Sequence, residues 1–370
     1  MRALLVLAVV AATALAWLRN CPAPRADCAI PRFRDAAWAP PAPPLPGAPS
    51  PPRVAVIVLA READAAALAC TLRSFDGAYN GARRYPYVVM SEAAWSPAAR
   101  AALAAETDAP VVFAVLPRGA WALPGGARGA APPAADPPRY YGDTPAYRKM
   151  CRFYSGPVFL LPELARFDIF WRLDAHVRYV CDIAPADDPV AALAGGGVYA
   201  FGVTFREEMH TVPTLWATAR AFAAARNASA ALRAWGAGAW GRGCHFWSNM
   251  EVGALDFFRG DAYQAWFAAA DAAGGFAHER WGDAPVRSLG LMMLAPRAAV
   301  RYLPELGYQH PPNVRCPRSG VCTQRGARVA CAADAFAGCS NDIGDGLAHA
   351  EGCALDGMLA DGAPGAWGAY

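Results

Sequence analysis

The stretch Val54-Ala55-Val56-Ile57-Val58-Leu59 is a continuous apolar run, which predicts a β-strand buried on both faces. Residues 62–74 follow it with the apolar spacing of a helix. Strand-like runs at 87–90 and 111–116, with a second helical segment at 96–105 between them, continue the alternation. Alternating strands and helices predict an α/β domain with a mainly parallel sheet flanked by helices.

A further strand-like run, 169–173, leads directly into Asp174-Ala175-His176. In open α/β sheets, ligands bind beyond the carboxyl ends of the strands. A carboxylate and an imidazole at such a strand end are therefore placed to bind a metal or a phosphate. The alternative is that Asp174 caps a turn and His176 lies on the surface.

The N-terminus predicts entry into the secretory pathway. An apolar run of 16 residues, 3–18, lies between Arg2 and Arg19. It is shorter than the roughly 20 residues that span a bilayer, and Ala14-Leu15-Ala16 fits a signal-peptidase site. Residues 1–20 are therefore either a cleaved signal peptide or a short signal-anchor, and both place the rest of the chain in the lumen.

Residues 21–53 are predicted to form an extended stem. Eight prolines lie within 40–52, and proline both fixes φ and lacks the N–H that packed elements need. A membrane segment followed by a proline-rich stem and a folded domain is the layout of a type II Golgi membrane enzyme. This layout favours the anchor and predicts a lumenal catalytic domain.

Eleven cysteines fit an oxidising compartment, and their odd number leaves at least one unpaired or in an intermolecular bond. Four of them lie in 317–370, which is predicted to be a loop-rich tail held by disulfides. Asn227-Ala228-Ser229 is an N-glycosylation sequon. A net charge of +3, with no basic block interleaved with aromatic residues, gives no indication of nucleic-acid binding.

Several longer blocks between 54 and 316 resemble the fungal α-1,2-mannosyltransferases of glycosyltransferase family 15 in order and spacing. The blocks are Tyr147-Arg148-Lys149-Met150-Cys151-Arg152-Phe153, Trp171-Arg172-Leu173-Asp174-Ala175-His176-Val177, Cys244-His245-Phe246-Trp247-Ser248-Asn249-Met250-Glu251, Glu279-Arg280-Trp281-Gly282-Asp283-Ala284-Pro285 and Gly307-Tyr308-Gln309-His310. The resemblance implies a GT-A fold, a single Rossmann-like α/β catalytic domain over 54–316. It also implies a GDP-mannose donor, a divalent metal, usually Mn²⁺, retention of anomeric configuration, and mannose-bearing protein glycans as acceptors.

The resemblance assigns the metal to His310 together with Asp174, with His176 as a third candidate. In place of the family's usual Glu-Pro-Asp, this chain has Asp174-Ala175-His176. The replacement lowers the local negative charge, and imidazole suits softer metals than magnesium. The change therefore leaves open weaker metal binding, an altered metal preference or an altered donor.

Glu251 matches the family's candidate nucleophile, and Tyr147 matches a tyrosine at the donor and acceptor subsites. A retaining transferase uses such a carboxylate either in double displacement or to stabilise an oxocarbenium-like centre, and the sequence does not separate the two. The alternative for Glu251 is a buried ion pair among aromatic residues. The alternative for Tyr147 is packing of a first-turn helix residue against the sheet.

Four further residues are candidates for donor or substrate binding. Arg61 directly follows the first strand, where this fold places a contact to the nucleotide diphosphate. Trp247 is either a platform for a sugar ring or a core residue. Arg280 and Asp283 flank Trp281 and either bind substrate or form structural ion pairs.

Two other functions remain open at this stage. One is a related transferase that uses another nucleotide sugar, and the other is a catalytically silent glycan-binding homologue. The presence of Tyr147, Glu251 and His310 argues against the silent homologue, because all three candidate positions are kept.

Overall fold

The computed structural model describes residues 51–123, 144–179, 181–232, 243–310, 313–317, 319, 321–324, 327–330 and 341–342. The predicted membrane segment, nearly all of the predicted stem, residues 124–143 and most of the tail lie outside these residues. Within them, no helix combines the length and apolar character needed to cross a bilayer.

A seven-stranded sheet forms the centre of the fold, with strand order β10-β6-β9-β4-β1-β2-β3. Only β9 runs antiparallel to its neighbours β4 and β6, so the sheet is mainly parallel as predicted. In chain order the strands are β1 Val54–Leu59, β2 Tyr87–Ser91, β3 Val111–Val115, β4 Ile169–Leu173, β5 Arg178–Tyr179, β6 Tyr199–Phe201, β7 Thr204–Arg206, β8 Cys244–Phe246, β9 Met250–Ala254, β10 Val300–Tyr302, β11 Tyr308–His310, β12 Asn313–Arg315, β13 Val321–Gln324, β14 Ala327–Ala330 and β15 Asn341–Asp342.

Helices cover both faces of this sheet, because strands buried on both sides need an apolar layer on each. In chain order the α-helices are α1 Ala65–Ala78, α2 Pro97–Ala104, α3 Pro145–Ser155, α4 Pro189–Ala194, α5 Leu215–Ala225, α6 Ser229–Ala231, α7 Leu255–Arg259, α8 Asp261–Ala273, α9 Gly275–His278 and α10 Asp283–Leu294. Short 3-10 turns occupy Glu62–Asp64, Asn80–Ala82, Pro157–Leu160, Pro162–Leu164, Pro185–Asp187, Met209–Thr211 and Arg297–Ala299.

Strand β1 shows why the apolar run was diagnostic. Val56 and Val58 pack into one core cluster, while Ala55 and Ile57 pack into the cluster on the opposite face. Successive side chains of a strand point to opposite faces, so a strand with a core on each side is apolar throughout. The prediction of burial on both faces is confirmed.

The predicted helices form with small shifts at their ends. Ser96 caps α2 by accepting a hydrogen bond from the Ala99 N–H, and Pro97 occupies the first turn. The segment predicted as helical over 62–74 starts as the 3-10 turn Glu62–Asp64 and continues as α1 to Ala78. Strand β4 has the predicted bounds.

The antiparallel strand β9 brings charged residues together on one face of the sheet. Its register pairs Arg172 of β4 with Glu251 of β9. The neighbouring residues Phe170 and Phe201 on that face belong to the apolar core. Two charged side chains therefore lie side by side within an otherwise apolar layer, and α10 contacts them from above.

A disulfide between Cys181 and Cys322 connects the segment after β5 to β13. Its sulfur lies against Gly307, where a Cβ atom would be 2.3 Å from the Cys181 Sγ, so any larger residue at 307 would displace the bond. Cys70, Cys244 and Cys316 are also disulfide-bonded. Cys151 is a free, buried thiol, in agreement with the odd cysteine count.

The tail differs in part from the predicted loop-rich segment. Strands β13 and β14 pair as an antiparallel hairpin, and β15 pairs in parallel with β12. The strand β12 lies before the predicted boundary at 316, and β15 lies after it. Residues of the tail thus join a sheet that also contains β11, the strand that ends at His310.

Candidate active site

Asp174 and His310 come together at the carboxyl-end edge of the central sheet. Asp174 follows β4, and His310 ends β11, which pairs with β5 a few residues after Asp174. The His310 Nε2 lies 3.8 Å from the Asp174 Oδ2. Burial lowers the pKa of His310, partly opposed by the Asp174 charge, so the imidazole is neutral near pH 7 and has a lone pair to offer a metal.

This pair fits a divalent cation that a nucleotide diphosphate also ligates, because such cations take only one or two protein carboxylates and fill their shell with phosphate oxygens and water. The third candidate, His176, is exposed. No set of three or more metal-ligating side chains is assembled in the part of the chain that the structure describes. Within the described residues, the Asp174–His310 pair is therefore the candidate site for such a cation.

Arg172 is the centre of a buried charge network behind this pair. Its guanidinium is only 3% exposed. The Nε donates to the Asp174 Oδ1 over 3.1 Å, and the Nη1 donates to the Asp283 Oδ2 over 2.5 Å. The same Nη1 lies 3.7 Å from the Glu251 Oε1, and the guanidinium stacks 3.6 Å above the Tyr154 ring. Arg172 therefore connects the partly exposed carboxylate of the pair to two buried ones.

Glu251 is fully buried and pairs with a second arginine. The Arg287 Nε lies 2.9 Å from the Glu251 Oε2, and the Tyr199 hydroxyl donates to the same oxygen over 2.8 Å. The other oxygen, Oε1, has no hydrogen-bond partner among the residues described. Burial raises the pKa of Glu251, while the charges of Arg287 and Arg172 oppose that rise.

Asp283 begins α10 and belongs to the same network. It accepts a hydrogen bond of 2.6 Å from the Ser248 hydroxyl in addition to the Arg172 contact. Burial would raise the pKa of Asp283, but the two arginine charges and these hydrogen bonds outweigh it and lower the pKa. Asp283 thus forms a buried ion pair with Arg172 of β4, which lies outside the block 279–285.

Tyr147 and Arg280 form a second cluster on α3 and the segment before α10. The Arg280 guanidinium lies 5.1 Å from the Tyr147 ring centre, and its Nη1 is 3.8 Å from the Glu207 Oε1. The neighbouring Cys151 thiol and burial raise the pKa of Tyr147, which keeps its hydroxyl protonated. Because the Asp283 backbone also hydrogen-bonds Cys151, this thiol connects the two clusters.

Trp247 lies at the rim beside the Asp174–His310 pair. Its ring is 5.2 Å from the His310 ring and stacks on Phe205 at 5.0 Å. It is partly exposed, unlike the core tryptophans Trp171 and Trp266. This placement leaves aromatic surface available to a ligand at the pair.

Arg61 is the candidate that the structure leaves apart. It follows β1 at the same sheet edge, but its side chain is 80% exposed and pairs with Asp64 at 3.0 Å. Within the described residues, the side-chain partner of Arg61 is Asp64 and not a member of the Arg172 network. Its role as a diphosphate contact remains a prediction.

Sequence reasoning assigned no role to Arg172, Arg287 and Glu207. Two of these leave a signal: Arg172 interrupts the apolar strand β4, and Arg287 interrupts the apolar helix α10. A charged residue inside an apolar element must be paired when it is buried. Its partners lie on other elements, so the signal marks a paired charge without identifying the pair.

Comparisons with known proteins agree with this architecture. The family described as glycolipid 2-alpha-mannosyltransferase matches residues 37–341. The chain is 32% identical to O-glycoside alpha-1,2-mannosyltransferase homolog 2 of Schizosaccharomyces pombe, covering 72% of this chain and 74% of that protein. It is 31% identical to glycolipid 2-alpha-mannosyltransferase 1 of Candida albicans, covering 70% and 63% respectively.

Among solved structures, core-mannan synthase A from Aspergillus fumigatus in its Mn/GDP form superimposes with a TM-score of 0.65. It is 30% identical and covers 72% of this chain and 76% of that one. The mainly parallel sheet flanked by helices is the predicted GT-A fold. The match over most of its length shows that the chain belongs to the glycolipid 2-alpha-mannosyltransferase family and is a glycosyltransferase.

Proposed function

We propose that this chain transfers mannose from GDP-mannose to mannose-bearing protein glycans, forming an α-1,2 linkage with retention of configuration and with Mn²⁺ as cofactor. The observation that carries the proposal is the Asp174–His310 pair, connected through Arg172 to the buried carboxylate of Glu251. Relatives named as alpha-1,2-mannosyltransferases and the Mn/GDP form of core-mannan synthase A support it.

Asp174 and His310 would hold the metal. When bound, it supplies a positive charge that offsets the charge developing on the departing diphosphate. The pair and the network behind it together contain three carboxylates and two guanidinium groups. These belong to Asp174, Glu251 and Asp283 and to Arg172 and Arg287. This excess of negative charge favours a cation over direct binding of a phosphate.

Glu251 is proposed to act at the anomeric carbon through the Oε1, the oxygen without a hydrogen-bond partner in the described structure. Both possible roles, nucleophile and stabiliser of positive charge, require the ionised carboxylate. Arg287 and Arg172 oppose the effect of burial and favour that form. Burial still raises the pKa of Glu251 overall, and these two residues limit that rise.

The remaining candidates are proposed to bind the two sugars and the nucleotide. Trp247 presents a partly exposed ring beside His310, a surface suited to the apolar face of a sugar. Tyr147 keeps its proton, so its hydroxyl can donate a hydrogen bond. Arg280 and Asp283 orient these groups, and Arg61 contacts the diphosphate.

The catalytic domain is proposed to lie in the Golgi lumen, anchored through residues 1–20 and spaced from the membrane by the stem 21–53. The Cys181–Cys322 disulfide supports an oxidising compartment. The anchor itself rests on the sequence pattern described above.

The test is mannose transfer from GDP-mannose to methyl α-mannoside by the chain expressed in an oxidising host, with Mn²⁺ and with chelator. Asp174→Asn should lose transfer, whereas His278→Ala, which alters an exposed histidine, should keep it. Loss of metal-dependent transfer in His176→Ala would support His176 as a third metal ligand, and unchanged transfer would exclude it. Transfer from another nucleotide sugar alone would show a different donor. Folded protein that neither binds GDP nor transfers mannose would refute the proposal.

A further inference from the structure

The sequon Asn227-Ala228-Ser229 is the single Asn-x-Ser/Thr sequence of the chain. It lies between the end of α5 at Ala225 and α6, which begins at Ser229. Asn227 is exposed and Ser229 is partly exposed. None of the proposed catalytic or binding residues lies in this segment, so the transferase function leaves the sequon without a role.

A structural role for Asn227 must be considered first. Its φ is +57°, and the N–H of Ala228 bonds to the carbonyl of Ala223 over 2.8 Å. This is the arrangement in which a left-handed residue ends a helix, a position that asparagine adopts more readily than most residues. The backbone at 227 thus accounts for an asparagine or a glycine there.

The backbone role does not account for the side chains of Asn227 and Ser229. The amide of Asn227 makes no hydrogen bond to any residue that the structure describes, so helix termination uses its backbone alone. The Ser229 hydroxyl likewise has no partner in the described structure. An exposed amide and a hydroxyl two residues later, both free of internal contacts, form an acceptor for N-glycosylation.

The cellular compartment indicated by the disulfides is also compatible with N-glycosylation. The Cys181–Cys322 disulfide, with further bonds at Cys70, Cys244 and Cys316, indicates that the chain folds in an oxidising lumen. Attachment of N-linked glycans takes place in the same secretory lumen. The helix α5 buries Leu215 and Phe222 against the core, so a glycan beyond its end leaves the packed face unchanged.

We propose that Asn227 is N-glycosylated. The donor is an oligosaccharide linked through a diphosphate to a lipid. The Asn227 amide nitrogen forms a bond to C1 of this oligosaccharide, the bond from C1 to the phosphate oxygen breaks, and the amide loses one proton. The glycan projects into solvent from the end of α5.

The test is peptide mass spectrometry on the full chain made in a fungal host, after amidase release of N-glycans in heavy-oxygen water. We expect Asn227 to be converted to labelled Asp in molecules whose digest also contains the linked Cys181–Cys322 peptides. Unlabelled Asn227 in such disulfide-containing molecules overturns the proposal, because they have passed through the compartment.

Three variants separate glycosylation from helix termination. Ser229→Ala keeps Asn227 and its backbone but destroys the sequon, so the label and the glycan mass should both disappear. Ser229→Thr keeps the sequon and should retain both. Asn227→Gly retains the left-handed backbone and should lose the glycan while the thermal midpoint of the deglycosylated protein is unchanged. Persistence of the glycan mass in Ser229→Ala would place the modification elsewhere and overturn the assignment.

Discussion

Replacing Arg287 by methionine should destabilise the protein strongly, because the change leaves Glu251 buried with half of its compensating charge removed. The two side chains are 1% and 0% exposed, and the Arg287 Nε lies 2.9 Å from the Glu251 Oε2. The variant also loses the hydrogen bond of 2.5 Å from the Arg287 Nη2 to the Tyr154 carbonyl. Methionine fills similar space among the neighbouring aromatic rings, so the lost volume is small.

The magnitude follows from these contacts. Breaking a buried ion pair by removing one partner destabilises by about 3–5 kcal/mol. Arg172 remains 3.7 Å from Glu251 and retains part of the attraction, which places Arg287→Met near the lower end, about 3 kcal/mol. Glu251→Gln should also destabilise, because it leaves Arg287 buried and unneutralised.

The measurement is a double-mutant cycle by urea unfolding, with Arg287→Met, Glu251→Gln and both together. The double variant contains neither orphaned charge, so its loss should be smaller than the sum of the single losses by about 1–3 kcal/mol. Arg259→Met is the matched control, since Arg259 donates to the carbonyls of Phe159 and Phe167. Its effect should add to that of Glu251→Gln within about 0.5 kcal/mol. Additivity of the Arg287 pair within the same margin would refute the reasoning.

Three further predictions concern the same site and its supports. The pKa of Asp283 is lowered in the folded protein. The ionised carboxylate therefore stabilises the fold at pH values above the ordinary pKa of 3.8. This contribution is lost as the pH falls through the lowered pKa. Asp283→Asn should therefore be about 3 kcal/mol less stable than wild type at pH 7, with the gap in unfolding free energy narrowing below about pH 4; a gap independent of pH would contradict this. His310→Ala should reduce metal-dependent transfer about 100-fold or more and shift the thermal midpoint by less than about 2 °C, and full activity in the assay would remove the metal role. Cys181→Ser should lower the free energy of unfolding by about 2–5 kcal/mol, while an unchanged urea midpoint would show that the disulfide contributes nothing.

The sequence predicted the layered fold well because burial leaves a local pattern. The strands β1 and β4 have the expected positions, since a strand between two apolar layers is apolar at every residue. The hairpin β13–β14 and the pairing of β12 with β15 were not anticipated. Their residues show little periodicity. The hairpin joins strands that are neighbours in the chain, whereas β12 and β15 are separated by the hairpin and the residues after it.

The sequence named several residues of the candidate site, but it did not indicate which residues contact one another. Asp174 and His310 do lie together, although 136 positions separate them in sequence. The sequence did not identify Arg172 and Arg287 as partners of Glu251. Their ion pairs join β4, β9 and α10, and the pattern of a single element does not show which residue on another element is the partner. Arg61 was placed by analogy of position; its side chain contacts Asp64, and its contact to the diphosphate stays a prediction.

The arrangement around Arg172 also limits how this chain can change over generations. One guanidinium serves Asp174, Glu251 and Asp283 at once, so altering any one of the four changes the charge balance around the other three. A substitution at one position should therefore be tolerated only with a second at another, and the four should vary together among descendants. Divergence in donor or acceptor preference is then easier at Trp247, Arg61 or His176, which lie outside this set.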